Sequence, residues 1–281
     1  WGTLEDVAQA LHDAPDIADK IRVYWIGGPN KKWGVNAFCY IAENFPELWM
    51  IENNSTYRGF IADYKNEDKW NAGFYNSFIK GAGFLGDDFY HYLQGKPKMG
   101  DTPSLLYMMC PNPADPSKES WGGSFQHYGY SPRVVYNHQT SERDTAQIFS
   151  IIEWHVHGPK RNDIPVGKKC ITLEIANQQW DGYYLGDGHY VVRYSTYKTG
   201  TQPYRIYSDI ENFPEQNGFI TIDRIYPGNH RDTDYKVGDK WFSDRNDPDS
   251  FWNNHQGAKT VFKWREKVMK DWGTRFGWLK E

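Results

Sequence analysis

The sequence predicts a parallel α/β layer, then a sandwich of short antiparallel strands, then a single amphipathic helix. Three observations carry that prediction. Helix-like and strand-like runs alternate with short links through residue 54. Short strand-like runs separated by turn clusters begin near residue 148. Val261, Trp264, Val268, Trp272 and Phe276 then recur at helical spacing close to the end.

Residues 3–20 read as a helix: Thr3 stands three before Asp6, a near capping box, and Leu4, Val7, Ala8 and Leu11 mark one face. Residues 21–26 read as a buried strand ended by Gly27-Gly28-Pro29. Residues 36–44 are helical and broken by Phe45-Pro46. Leu48 to Ile51 is a second buried strand, closing in Glu52-Asn53-Asn54-Ser55. In sheets of this kind ligands sit outside the carboxyl ends of the strands. Gly27-Gly28, Asn53-Asn54 and the loop of Asp101 belong to that edge.

Residues 59–96 read as irregular helix with Gly81, Gly83 and Gly86 as breaks, and Asp87-Asp88 is either a ligand pair or a helix start. Gly100-Asp101-Thr102-Pro103-Ser104 then precedes the apolar run from Leu105 to Met109. Thr102 is placed to cap a helix and Pro103 suits its first turn, which leaves Asp101 at the loop tip. There it either balances the positive helix end or binds a metal or substrate. In Trp121-Gly122-Gly123 the two glycines let the backbone approach closely either another segment or a ligand.

Beyond residue 147, the runs 148–156, 169–176, 189–197, 203–208 and 218–223 suggest an antiparallel sandwich. His155 and His157 alternate onto one strand face, as two metal ligands would, without a third nearby in sequence. Residues 226–256 form a polar connector, in which the run from Asp244 to Asp249 offers either oxygen ligands for calcium or a turn-rich loop. The apolar stripe of the last helix, Ala258 to Leu279, is core.

A net charge of -4 and a pI near 6.2 give no footprint for nucleic acid. No apolar run reaches the roughly 18 residues of a membrane span. Cys39, Cys110 and Cys170 are too scattered for a zinc pattern or a disulfide framework. The informative excess is aromatic, 17% of the chain with 13 Trp, which favours a carbohydrate-facing protein because sugar rings offer flat faces for stacking. The chain opens at Trp1 directly in a helix-like pattern, so a further segment is expected upstream. The oligomeric state is left open.

Several stretches resemble a known family. Gly2-Thr3-Leu4-Glu5-Asp6-Val7-Ala8 and Ile26-Gly27-Gly28 resemble segments of nucleoside hydrolases. Trp1-Gly2, Asn44-Phe45-Pro46-Glu47-Leu48, Gly100-Asp101-Thr102-Pro103-Ser104, Trp121-Gly122-Gly123 and Lys263-Trp264-Arg265-Glu266 resemble one branch more specifically. This branch comprises bacterial cellulose-binding proteins with a nucleoside-hydrolase-like domain. The match covers residues 1–136 and the closing helix, 257–281. Trp180-Asp181-Gly182-Tyr183-Tyr184-Leu185-Gly186-Asp187-Gly188-His189-Tyr190 resembles part of an immunoglobulin-like module, which places such a sandwich at 147–225 and a connector at 226–256.

The resemblance implies a calcium ion at the carboxyl edge of the sheet, holding the attacking water and sugar hydroxyls. By position Asp101 corresponds to a calcium-binding aspartate and Glu5 to a residue whose backbone carbonyl joins it. Asn36 corresponds to a ribose-contacting asparagine, with Trp33 and Trp121 as pocket walls. The aspartate-rich motif of the family's first strand does not occur here and is expected upstream, so the catalytic base is unassigned. Gly100 stands where nucleoside hydrolases carry a histidine, which favours a sugar derivative over a nucleoside. Two readings follow: a calcium-dependent hydrolase of a glycosidic or N-glycosidic bond, or a non-catalytic carbohydrate (cellulose) binding protein. A scaffold module without a ligand is a third. The ligand class is a carbohydrate or nucleoside-like small molecule, and the location implied is extracellular or periplasmic.

Overall fold

Two β-layers share this chain, and the second is laid against a helix of the first. The architecture is that of a computed structural model, which describes residues 2–61, 73–92 and 99–280. Helices α1 (Glu5–Asp13), α2 (Pro29–Trp33), α3 (Val35–Asn44) and α4 (Arg58–Ile61) alternate with strands β1 (Arg22–Ile26) and β2 (Trp49–Asn53). Helices α5 (Gly83–His91) and α6 (Thr102–Met108) follow, then strands β3 (Phe125–His127) and β4 (Tyr130–Ser131). Next come β5 (Arg133–Tyr136), β6 (Thr145–Gln147), β7 (Ile151–His157), β8 (Lys169–Ile175) and β9 (Gln178–Gly186). Strands β10 (His189–Tyr194), β11 (Gly200–Tyr207), β12 (Gln216–Asp223), β13 (Tyr235–Lys236) and β14 (Trp241–Asp244) precede helices α7 (Lys259–Phe262) and α8 (Arg265–Gly277).

The first sheet has the order β1-β2-β14-β3, parallel from β1 through β14, with β3 antiparallel at the edge. Thus the connector of 226–256 supplies a strand of the α/β layer, beside β2. The short polar run around Trp241 concealed it, because Trp241 is wholly buried while its neighbours are turn-forming. On one face α1 and α3 deliver Leu11, Phe38 and Ile41 onto Trp25, Met50 and Trp241. Trp25 stacks on Phe38 with ring centroids 5.7 Å apart. On the other side the expected single helix over 258–279 is broken by a turn at 263–264 into α7 and α8, which together close the layer. Val261 and Val268 are buried with Phe60, Tyr75 and Leu106, and Trp264, Trp272 and Phe276 pack around them.

The expected immunoglobulin-like sandwich of two sheets is not what the hydrogen bonds make. Eight strands form a single sheet, ordered β5-β7-β10-β9-β8-β11-β12-β6, antiparallel inside and parallel at both outermost pairs. It curls so that β7 faces β11 across one core. The Trp154 and Tyr204 rings lie 4.9 Å apart, and the Thr140 hydroxyl bonds to both side chains. Strand alternation read from sequence cannot separate two stacked sheets from one sheet folded on itself, since both need the same period-two pattern.

The outer face of β7 and β10 joins the two layers. Ile151 enters the α/β core, while Glu153 is buried between Arg133 (2.7 Å), Arg193 (2.5 Å) and His155 (2.6 Å). Those partners hold its carboxyl well below the usual range despite burial. His155 Nδ1 also lies 2.6 Å from His189 Nε2, and the His157 ring stacks on His189. The third ring comes from the neighbouring strand, which sequence spacing did not expose.

Several local expectations change. Leu4, not Thr3, precedes α1, and no side chain caps that helix. Thr102 is the first residue of α6 rather than its cap, with Asp101 in the cap position and the Ser104 hydroxyl donating to the Asp101 carbonyl. Asp87 lies inside α5 and accepts the Gly81 N–H at 2.7 Å. Gly122 meets a chain segment: a Cβ there would fall 2.2 Å from the Pro103 carbonyl oxygen and 2.3 Å from the Tyr107 nitrogen. The Asp244–Asp249 run is a strand end followed by a turn, Asp247 being held by Arg245 and Ser250. No helix among the described residues is long and apolar enough to cross a membrane.

Candidate functional site

The carboxyl ends of β1, β2 and β14 meet in a hydrogen-bonded frame. Gly28 has φ +49 and its N–H donates to Asn54 Oδ1 (3.0 Å), a conformation that glycine adopts without strain. Asn54 Nδ2 donates to Glu52 Oε1 (2.7 Å), which also receives Lys31 Nζ (2.7 Å). Tyr226 and Tyr128 direct their hydroxyls to the same carboxylate. Asn53 holds the Tyr57 N–H and the Tyr24 hydroxyl. Asp244 accepts the Ser55 and Thr56 N–H groups at 2.7 and 3.0 Å, and burial pushes its carboxyl up to about 7. Gln256 ties the backbones of Tyr226 and Asp244 together.

Above this frame lies a cleft of about 170 Å³ between the α/β edge and the curled sheet. Pro29, Asn54, Tyr57 and Arg58 form one wall. Phe149, Tyr197, Thr199 and Arg224 form the second, and Phe251, Asn254, His255 and Gln256 the third. Phe149, Asn253 and Asn254 hold φ of 60, 48 and 65, so non-glycine residues in the left-handed region gather around this cleft. Strained backbone of this kind concentrates at ligand sites. Tyr197 is half exposed, and its ring is available to a ligand face. No Asp or Glu is among the described residues lining the cleft. Burial, with the charges of Arg58 and Arg224, lowers the pKa of His255.

The residues singled out from sequence are distributed around the α/β layer rather than gathered in the cleft. The Asp101 loop flanks it: a Cβ on Gly100 would lie 3.2 Å from Ile61 and 3.8 Å from the Tyr57 ring. Partial burial raises the Asp101 carboxyl pKa. Glu5 is exposed on the first turn of α1, its carboxylate oxygens 3.1 Å from where a Gly34 Cβ would be. Trp33, 54% exposed, packs against Trp180 with the ring planes tilted by 41° and centroids 4.9 Å apart, and Lys32 sits over both rings. Asn36 joins the layers, its Oδ1 receiving Arg193 at 3.3 Å and its Nδ2 facing the Tyr183 hydroxyl at 3.4 Å. Trp121 borders a separate depression with Leu106, Trp264 and Arg275.

The calcium expectation can be set against these positions. Among the described residues, no three His, Cys, Asp or Glu side chains converge in a group able to hold a metal ion. No hydrogen bond joins Asp101 to Glu5 among them either. The described residues do not by themselves complete a calcium site. The cleft walls from Phe149, Tyr197 and Arg224 were missed because they come from the second layer. The edge made by Gly27-Gly28-Pro29 and Asn53-Asn54 was readable beforehand.

Residues 1–125 match the family described as "Cellulose-binding Sde182, nucleoside hydrolase-like domain". Among solved structures, a nucleoside hydrolase-related protein of Saccharophagus degradans, associated with carbohydrate metabolism, is 15% identical. That match covers 79% of this chain and 70% of that one, with a TM-score of 0.32. A glycoside hydrolase candidate of Bacteroides vulgatus ATCC 8482 is 17% identical over 31% of this chain and 18% of its own, with a TM-score of 0.25. The Bacteroides ovatus protein SGBP-B of a mixed-linkage glucan utilization locus, solved with a mixed-linkage heptasaccharide, is 9% identical. It is matched over 34% of this chain and 24% of its own, with a TM-score of 0.19. The chain thus spans less than a quarter of the length of both Bacteroides proteins. No curated protein matches the sequence.

Proposed function

We propose that this chain, whose first 125 residues carry a nucleoside hydrolase-like domain of the cellulose-binding kind, binds a carbohydrate in the cleft over Asn54 and Tyr57. The observation that supports this most directly is the composition of the walls. Tyr197 and Phe251 offer ring faces above the buried Tyr57 and Phe149 rings, and the exposed Asn254 offers an amide that pairs with hydroxyls. What the described lining presents to a sugar is ring faces and an amide, groups that bind without supplying a general acid or base. The ligand is a saccharide presented outside the cell.

Isothermal titration with cellotetraose tests it. Binding in the micromolar to millimolar range is expected, weakened by Phe251→Ala and Tyr197→Ala. Failure to bind any soluble glucan, xylan or uronate oligosaccharide would end the reading.

Calcium-dependent hydrolysis is the second reading, and the half-buried Asp101 beside Tyr57 is the observation in its favour. Calorimetry with calcium on the parent chain and on Asp101→Ala separates the two readings. A calcium affinity lost in the variant, together with release of reducing sugar, would favour hydrolysis; identical weak calcium uptake in both would remove it.

A further inference from the structure

A second depression, of about 510 Å³, opens on the α/β layer between the end of α6, the loop before β3, and α8. It is roomier than the cleft over Asn54, and the two have no described lining residue in common. Trp121, Trp264, Leu106 and Met109 make its apolar wall, and charged side chains of α8 and the β3 loop make its rim.

The wall is fixed in place by the packing beneath it. At Gly122 the loop lies too close to the Pro103 carbonyl and the Tyr107 nitrogen for any side chain to fit between. Buried Ser120 locks the turn, its hydroxyl accepting the Gly122 N–H at 3.1 Å and donating to the Gly123 carbonyl at 2.7 Å. Trp121 and Trp264 are half-buried and backed by the cluster that holds Phe60, Leu106 and Val261. Two indoles are thus positioned before any ligand arrives, which removes an ordering cost from binding. Met109 beside them is 46% exposed, and Leu105 and Met108 of α6 are more exposed still. Apolar surface of this kind, rimmed by polar groups, marks a contact site.

The rim selects the class of ligand. Arg275 Nε lies 2.7 Å from Asp271 Oδ2, and Lys263 pairs with Glu119. Each acid is matched by a base, so the depression has no net charge with which to attract an ion. Both pairs reach solvent, where such pairs contribute little, so their oxygens and N–H groups can be shared with a ligand at small cost. A wholly apolar ligand would strip water from this rim and return no hydrogen bonds. A neutral sugar suits both parts, with C–H faces for the indoles and adjacent hydroxyls for the carboxylate and guanidinium. The volume falls in the range of small-molecule sites, roughly 300–1,000 Å³, which leaves room for more than one ring.

We infer that this depression is a second saccharide site, in which Trp121 and Trp264 meet the faces of a neutral oligosaccharide and Asp271 and Arg275 meet its hydroxyls. The inference shares with the cleft reading only the class of ligand and depends on different residues.

The test is a nuclear magnetic resonance titration of the whole chain with cellohexaose, xylohexaose and mannohexaose, read at the indole N–H signals of Trp121 and Trp264. Trp121→Phe and Trp264→Phe assign those signals. At least one oligosaccharide is expected to move both signals saturably, with a dissociation constant unchanged in Tyr197→Ala, which weakens the cleft. Asp271→Asn combined with Arg275→Gln, at positions that reach solvent, should weaken the binding read at the two indoles about three- to tenfold. Circular dichroism melts confirm that the double variant is folded. Indole signals that stay still at millimolar concentrations of all three oligosaccharides would overturn the inference. So would shifts that vanish in Tyr197→Ala, or that are untouched by the double variant. Calorimetric binding that still depends on Tyr197 and Phe251 would then leave the cleft reading standing; loss of both kinds of signal would remove both.

Discussion

Lys31 Nζ lies 2.7 Å from Glu52 Oε1 with neither side chain reaching solvent. Burial lowers the Lys31 pKa, and the adjacent carboxylate works against that shift. The lysine also rests over the Phe38 ring at 3.8 Å, while Tyr128 and Tyr226 complete the carboxylate's shell. Because Glu52 also holds Asn54, this pair fixes the wall of the cleft from below.

Removing one member leaves a buried charge without its partner. Lys31→Met is expected to cost about 3–5 kcal/mol in urea unfolding. Combining it with Glu52→Gln should recover a large part of the loss, because the remaining hydroxyls can still pair with an amide. Two losses that simply add would contradict the coupling.

The alternation of the first 54 residues made the parallel edge legible, and the stripe from Val261 to Phe276 identified the buried face of the closing segment though not its break into α7 and α8, since both patterns report burial directly. What escaped was assembly over distance. Trp241 pairs into the sheet next to Met50, 191 positions earlier, and no local period signals such a pairing. The cleft has the same character. Asn54 was readable as an edge residue, but Phe149 and Arg224 join it only because the curled sheet docks on α3 through Glu153, Arg193 and Asn36. Asn36 was singled out for a sugar contact and instead joins the layers. Its amide answers to Arg193, whose position sequence spacing does not give.

Trp33 is predicted to act apart from the cleft. Its ring packs at a tilt against Trp180 and is more than half exposed, so Trp33→Ala should cost about 0.5–1.5 kcal/mol. Cellotetraose affinity should stay within about twofold of the parent. A tenfold loss in titration would place Trp33 in the ligand path.

Asp244 gives the stability a pH dependence of defined sign. Its folded-state pKa is raised from 3.8 to about 7, chiefly by burial, so the folded protein keeps this proton where the unfolded chain has lost it. The contribution is complete below the ordinary aspartate pKa and is lost as pH rises through about 7. The slope approaches about 1.4 kcal/mol per pH unit between the two pKa values. Asp244→Asn cannot titrate and should be less stable at pH 5, because its amide faces a backbone N–H. Its deficit should shrink toward pH 8. Unfolding curves at pH 5, 6, 7 and 8 check this, and parallel pH profiles for the two proteins would refute it.

Asn254 separates strain from recognition. It lines the cleft at φ 65, where a side chain other than Asn or Gly is penalised. Asn254→Ala should therefore destabilise the chain by about 1 kcal/mol, whereas Asn254→Gly should leave stability within about 0.5 kcal/mol, its freer unfolded chain offsetting the relief of strain. Both variants lose the amide that a sugar hydroxyl would meet. Their oligosaccharide affinities should fall together, by about three- to tenfold, even though their stabilities diverge. If affinity instead tracked stability, with the glycine variant binding like the parent, Asn254 would serve only to shape the loop. The hydroxyl contacts would then have to come from the exposed Tyr197 and Thr199.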